Sequence, residues 1–315
     1  MNPLDSFLER LLHKYKNPQS LFPETMAEEW VGHSGLSALP SLSEIHRQLE
    51  AYGLALEKAS LPGLRGHHYC YRGGDPTILY ESDEWRGAVE FTLLHEFYEI
   101  ILDKMGSGLR CQAGSSRAEA CWGGNRFAAA VLMQKDIFLQ ALHESHFDII
   151  WLHRHFYRSY SAIAIRAQEL LDRIGTPAKK ELACIIYQRD GDPRQWDDGR
   201  QGFYVRCAVY TNGIRRGKGR GQGHPMPARK DSVPPGSIVE LALQVGRPVL
   251  LKKARGLGPA EDSSLTCLAR PVYWFHKPAK VILEAMKLED GYILEAQAQP
   301  LHPQVVEEAD GLVCR

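Results

Sequence analysis

The chain changes character at Gly175-Thr176-Pro177, and the two sides of that boundary call for different folds. Upstream, apolar residues recur at helical spacing, as in Leu4, Phe7, Leu8, Leu11 and Leu12, and again over Ser41 to Tyr52 after the Pro40 break. Downstream, LACIIYQ, FYVRCAVY, IVELALQ, RPVLLKK, CLARPVYWF, AKVILEAM and GYILEAQ read as β-rich segments separated by Gly/Pro loops. Residues 180–315 are therefore expected to form a separate α+β or mostly β domain. A length of 315 residues allows two or three domains and at least one large core.

Composition closes off several classes of function. The 38 basic and 38 acidic side chains cancel, so no global field draws the protein to nucleic acid or to a membrane. No apolar run approaches the roughly 20 residues of a membrane span. The stretch MNPLDSFLERLLHKYK carries charge where a signal peptide has its apolar centre. The expectation is a soluble, cytoplasmic protein with no membrane partner. Seven cysteines, at 70, 111, 121, 184, 207, 267 and 314, are odd in number, scattered and never spaced C-x-x-C. That pattern argues against structural disulfides and for small core residues.

Within the helical half, LALEKA and ILYES read as short strands around the turn-rich LPGLRGHHYCYRGGDPT, giving a small hairpin or meander. A helix is predicted from Glu84 to Met105, stopped by Gly106-Ser107-Gly108, and a second from Ser116 to Leu139. Shorter helices follow from His146 to Leu171.

The first of these helices carries FTLLHEFYEII. His95 and Glu99, at i and i+4, share a face and can converge on one metal ion, with Glu96 to the side. In a zinc hydrolase an ion held this way acidifies a water, and the intervening glutamate accepts the proton. A carboxylate oxygen binds zinc at a distance close to that of an imidazole nitrogen, so Glu99 is chemically competent. The same spacing also suits a plain hydrogen-bonded pair on an amphipathic helix. The second helix offers two further donors, Glu119 and Cys121. Cys121 shares a face with Asn125, while Glu119 is rotated away by two residues. Each has an ordinary reading as well: Cys121 as a small buried residue, Glu119 as a solvent-facing one.

Taken together, LPGLRGHHY, the strand ILYES, FTLLHEFYEII and NRFAAAVLMQ resemble the ImmA/IrrE family of zinc-dependent metallopeptidase-like proteins over roughly Ser41 to Leu142. The resemblance implies a zincin-like domain with a His-Glu-x-x-His helix and a third ligand four residues before the asparagine of the next helix. Carried onto this chain, it implies His95, Glu99 and Cys121 as metal ligands and Glu96 as general base. Zinc is the implied ion, with another divalent metal, or none, as the alternative. Three positions depart from the family pattern: Glu99 stands for histidine, Cys121 for glutamate and Gln134 for proline. Two anionic ligands neutralise a dication where the family set leaves one positive charge, so weaker acidification of water is expected.

The segment FDIIWLHRHFYRSYSAIAIRAQELL resembles a helix-turn-helix, with a turn near Tyr157 to Ser159 and Ser159 placed to cap the second helix. IrrE-like regulators join a peptidase-like domain, a helix-turn-helix-like bundle and a GAF-like sensor domain. Here those slots fall at 1–142, 143–176 and 180–315, an α+β multidomain chain. The resemblance implies a repressor-like protein substrate and a small-molecule ligand in the C-terminal domain. The alternative is a non-catalytic regulator that binds DNA, a partner protein or a small ligand. Direct DNA reading is disfavoured, because the second helix offers little beyond Arg158 and Arg166 to bases or phosphates. The basic loop with Arg215, Arg216, Lys218, Arg220, Arg229 and Lys230 reads as a solvated loop more readily than as a nucleic-acid patch. Tyr273-Trp274-Phe275 reads as part of a buried strand or as the lining of a ligand pocket.

Overall fold

A computed structural model describes residues 3–16, 21–70, 74–106, 117–173, 181–191, 202–211, 214, 227, 229–254, 265–274, 276–287, 290–298 and 304–306, with backbone alone at 117–121, 253, 254, 287 and 304–306. The chain divides into two compact units, residues 1–140 with 154–159, and residues 141–153 with 160–315.

The first unit opens with helices α1 (Pro3–Lys14), α2 (Pro23–Ser34) and α3 (Leu42–Ala51). Ser41 caps α3, its Oγ accepting from the Glu44 amide. Three short strands follow, β1 (Ala55–Ala59), β2 (Gly66–Tyr69) and β3 (Thr77–Glu81), in the order β1-β3-β2. The expected hairpin is replaced by a different arrangement. β1 pairs with β3 in parallel, and the GHHY inside the turn-rich segment is itself a strand, antiparallel to β3. A parallel pair needs a connection that crosses over, and here the segment holding β2 provides it.

Helix α4 (Arg86–Lys104) lies in the middle of this unit, with Leu93, Leu94, Phe97, Ile100 and Ile101 all at most 3% exposed. Phe97 stacks at 4.9 Å from Trp30 of α2 and 6.1 Å from Phe127 of α5 (Arg117–Leu132), fixing three helices around one aromatic cluster. The predicted second helix is in fact two, α5 and α6 (Lys135–Glu144). The break falls at Met133-Gln134, where the family pattern carries proline. Gln134 turns its side-chain amide outward to donate to the Ser37 carbonyl at 2.9 Å.

Helices α7 (Ile149–Phe156) and α8 (Tyr160–Arg173) flank a tight connection in which Tyr157 has φ of 53°. Arg158 and Arg166, expected to face solvent, are 4% and 2% exposed. Arg158 pairs closely with the buried Glu90 of α4, so the first of these guanidinium groups is spent inside the first unit.

The second unit is built on a six-stranded sheet, order β5-β4-β8-β7-β6-β9. Its strands are β4 (Leu182–Arg189), β5 (Phe203–Tyr210), β6 (Val249–Ala254), β7 (Leu265–Trp274), β8 (Lys277–Lys287) and β9 (Gln304–Val306). All neighbours are antiparallel except β6 and β9. Two segments expected as strands are helices, α9 (Ile238–Val245) and α10 (Gly291–Ala298). For α9 the cause is a capping box: Ser237 Oγ accepts from the Glu240 amide, and Gly246 at φ 66° ends the helix. In α10 the run Leu-Glu-Ala-Gln-Ala consists of strong helix formers. Helix α9 covers the face of Ile185, Cys267 and Leu283. On the other face Gly291 lets α10 press onto β7, where a Cβ would meet Thr266 Oγ1 at 2.1 Å. Burial on both faces explains the unbroken apolar run of LACIIY.

That second face also buries charge. Arg270 donates to Asp148 at 2.8 Å and pairs closely with Glu284, while Glu284 accepts from the Ile149 amide at the start of α7. Asp148 caps the same helix through the amides of Ile150 and Trp151. Burial pushes the Glu284 carboxyl up to about 7 against the pull of Arg270.

Cys184 is a free, buried thiol whose burial pushes its pKa up, the inert core residue expected. Cys267 departs from expectation: it is disulfide-bonded. Tyr273 and Trp274 are 44% and 57% exposed, so that end of β7 is not the buried strand of one sequence reading. Arg229 and Lys230 are exposed, and the remaining basic residues of that loop, like Phe275, lie outside the described residues.

Removing Arg270 leaves Glu284, 0% exposed, without its countercharge. Arg270→Ala is expected to cost about 3–5 kcal/mol in urea denaturation, and the double substitution Arg270→Met with Glu284→Met less than half of that.

Candidate metal centre

Helix α4 is apolar on most of its surface, yet Thr92, His95, Glu96, Glu99 and Asp103 form a polar stripe at spacings of three and four. Buried polar groups need partners, and this stripe finds them on β2 and α5.

His95 lies flat against α5. A Cβ at Gly124 would sit 2.7 Å from His95 Nδ1, so glycine at that position is what admits the ring. The neighbouring Gly123 accommodates Tyr98 in the same way, at 2.9 Å. His95 Nδ1 donates to Asn125 Oδ1 at 3.1 Å, and Nε2 donates to Glu99 Oε1 at 3.1 Å. The first bond fixes the ring so that Nε2, the ligand atom of the sequence reading, points along the stripe toward Glu99.

From the opposite side comes His68, on β2. Gly66 shares its strand face, and a Cβ there would lie 2.3 Å from Thr92 Cγ2 and 3.4 Å from Glu96 Cγ. Glycine therefore lets β2 press onto α4, and two residues on His68 Nδ1 donates to Glu96 Oε2 at 2.7 Å. The same nitrogen is 3.8 Å from Glu99 Oε2, and Nε2 is 3.5 Å from Asp103 Oδ2. One donor atom each from His68, Glu96 and Glu99 lies within 4.8 Å of the others, a spacing compatible with a single cation.

Of the residues expected from the sequence, His95, Glu96 and Glu99 are thus brought into one buried cluster. Cys121 and Glu119 stand on the first turns of α5, their side chains outside the described part of the molecule. Sequence reasoning missed His68 and Asp103. The stripe spacing on α4 was legible for Asp103, and the paired histidines of GHHY were the one available signal for His68.

Burial lowers the pKa of both histidines, but their carboxylate partners outweigh it. His68 is raised by its bond to Glu96 and the charges of Glu96 and Glu99, and His95 by its bond to Glu99 and the same two charges. Burial raises Glu99, and the bond and charge of His95 with the charges of His68 and His67 bring it below its usual value. Without metal, hydrogen bonds between the imidazoles and the carboxylates hold the cluster together. Two nitrogens and several carboxylate oxygens form a donor set suited to zinc or a similar divalent ion.

In metal-free protein the histidine contribution to stability is complete below 6.5, their ordinary value, and is lost as pH rises through the higher folded values. The Glu99 contribution is complete above 4.5 and is lost as pH falls. The melting temperature after chelation is therefore expected to fall as pH rises above 6.5 through the raised folded values, and His68→Ala to flatten that fall. Gly124→Ala, which displaces the His95 ring, is expected to weaken divalent-metal affinity by about 10–100-fold while the helical circular dichroism is kept.

Among the described residues, no helix is long and apolar enough to cross a membrane. No curated protein matches the chain. A solved structure of a Mycobacterium tuberculosis transcriptional regulator is similar in fold, with a TM-score of 0.56 at 14% identity over 92% of this chain and 82% of that one. Residues 49–168, which hold β1 to β3, α4, α5 and every member of the cluster, match the Peptidase_M78 family model, that of the IrrE N-terminal-like domain.

Proposed function

We propose that this chain is a metal-dependent, peptidase-like regulator whose IrrE N-terminal-like domain cleaves a peptide bond in a partner transcriptional repressor. The observation that carries the reading is the convergence of His95 Nε2 and Glu99 Oε1 at 3.1 Å beside the buried Glu96, inside that domain. The family resemblance and the regulator of similar fold support the regulatory part.

In this reading His95, Glu99 and Cys121 hold the metal, and zinc is the ion that suits imidazole, carboxylate and thiolate together. A bound divalent ion supplies a Lewis acid for the scissile carbonyl and lowers the pKa of the attacking water. The protein supplies the rest. Asn125 keeps the His95 ring in register by accepting its Nδ1 proton. Glu96, 8% exposed, takes the proton from the attacking water and passes it to the leaving amine.

One observation favours a second reading, a non-catalytic regulator. Glu96 already accepts a hydrogen bond from His68 at 2.7 Å, so that carboxylate oxygen is occupied and not open to an attacking water. The remaining assignments stand as part of the proposal: residues 1–142 as the metallopeptidase-like domain, 143–176 as a helix-turn-helix-like segment, and 180–315 as a GAF-like sensor for a small molecule. The six-stranded sheet with helices on both faces supports the last of these. The burial of Arg158 and Arg166 weighs against direct DNA reading by the second helix, which leaves a protein partner as the route to regulation, in the cytoplasm.

Mass-spectrometric mapping of new protein N-termini in cells expressing the native chain or Glu96→Gln separates the readings. A cleaved DNA-binding repressor is expected with the native chain alone. Identical N-termini in the two cultures contradict the peptidase reading.

A further inference from the structure

We propose that this centre takes two divalent cations, with Glu99 as the bridge between them. His95 serves the first position, and His68 with Glu96 serves the second. The inference rests on the reading of α4 as a metal centre and explains a departure that the reading alone leaves without a reason: why position 99 is a carboxylate.

A histidine at that position directs one nitrogen at one ion. A carboxylate carries two oxygens that can bind different ions, which is how bridged two-metal sites are built. In the structure the two oxygens of Glu99 already face different imidazoles. Oε1 is 3.1 Å from His95 Nε2, and Oε2 is 3.8 Å from His68 Nδ1. The second position has its own donors, His68 Nδ1, Glu96 Oε2 and Glu99 Oε2, one nitrogen and two carboxylate oxygens from β2 and α4. Such a mixed set suits zinc, manganese or cobalt. Gly66 is the structural device that makes the set reachable, because a side chain there would lift β2 from α4 at Thr92.

Charge points the same way. Glu96, Glu99 and Asp103 carry three negative charges beside two imidazoles, one more than a single dication neutralises. A second dication supplies the countercharge that one leaves wanting in this part-buried site. Asp103, at the exposed end of the stripe, stands within 3.5 Å of His68 Nε2 and orients that ring for the second position.

The consequence is regulatory. When the second position is filled, Glu96 is a ligand and no longer a base, so the cation concentration sets whether the domain is competent to hydrolyse. The first position alone leaves Glu96 unligated, and the second withdraws it.

The test uses the full-length chain, stripped of metal, loaded with cobalt(II) or manganese(II), and passed through gel filtration. Metal per chain is then measured by elemental analysis and spin coupling by electron paramagnetic resonance. Two equivalents with the signature of a coupled pair are expected for the native chain. One uncoupled equivalent is expected for His68→Ala and for Glu99→His, which restores the family's single-ion pattern. Circular dichroism of both variants reports whether they fold, and the Glu99→His protein keeps its own ligand set should His68→Ala unfold. One equivalent in the native chain, unchanged in His68→Ala, overturns the second position and leaves the single-metal reading standing. Two uncoupled equivalents overturn the bridge. No metal in the native chain overturns both the inference and the reading on which it rests.

Discussion

A helix packed into the middle of a domain must be apolar, or else find a partner for every polar group it buries. Helix α4 meets that constraint by collecting its polar side chains into one stripe and presenting them between β2 and α5. The rest of the first unit is arranged around this. Trp30, Phe97 and Phe127 fix α2, α4 and α5 on the apolar side, and Gly66, Gly123 and Gly124 let strand and helix close on the polar side. Glycine in the interior of a helix costs about 0.5–1 kcal/mol relative to alanine. Two of them in α5 are retained where the rings of Tyr98 and His95 leave no room for a methyl group.

Carboxylates and imidazoles concentrated at one buried place create a strong demand for positive charge. Without metal the histidines supply it as protons, which is why both are raised in spite of burial. A divalent ion held by His95, Glu99 and their neighbours would supply it more completely, with release of those protons. The second unit solves a related problem differently. Arg270 is the fixed countercharge of Glu284 and Asp148, and the triad seats the start of α7 on its sheet with no chemistry implied. Buried charge in the two units thus has two outcomes, one open to exchange with solvent ions and one closed by a guanidinium.

The sequence made helix α4 legible because its evidence is local. The i,i+4 pair of His95 and Glu99, the intervening Glu96 and the NRFAAAVLM that follows all lie within single elements. His68 was not legible in the same way. Its segment looks like a turn between Pro62 and Gly73-Gly74, and its role depends on β1 and β3 pairing in parallel so that β2 lands on α4. The strand readings of α9 and α10 failed because short apolar runs satisfy either period. The Ser237 and Glu240 capping box and the Gly246 stop were the signals that decide α9. The break between α5 and α6 was masked by continuous helical propensity, and the position where the family carries proline marked it.

The central claim is that the polar stripe of α4 is a metal centre and not a self-satisfied hydrogen-bond network. Anomalous diffraction, collected at the absorption edge of the bound metal from crystals grown without chelator, tests it directly. The account predicts an anomalous peak in contact with His95 Nε2 and Glu99 Oε1. Crystals saturated with metal that show no peak there, with the hydrogen bond between His95 and Glu99 intact, would contradict it.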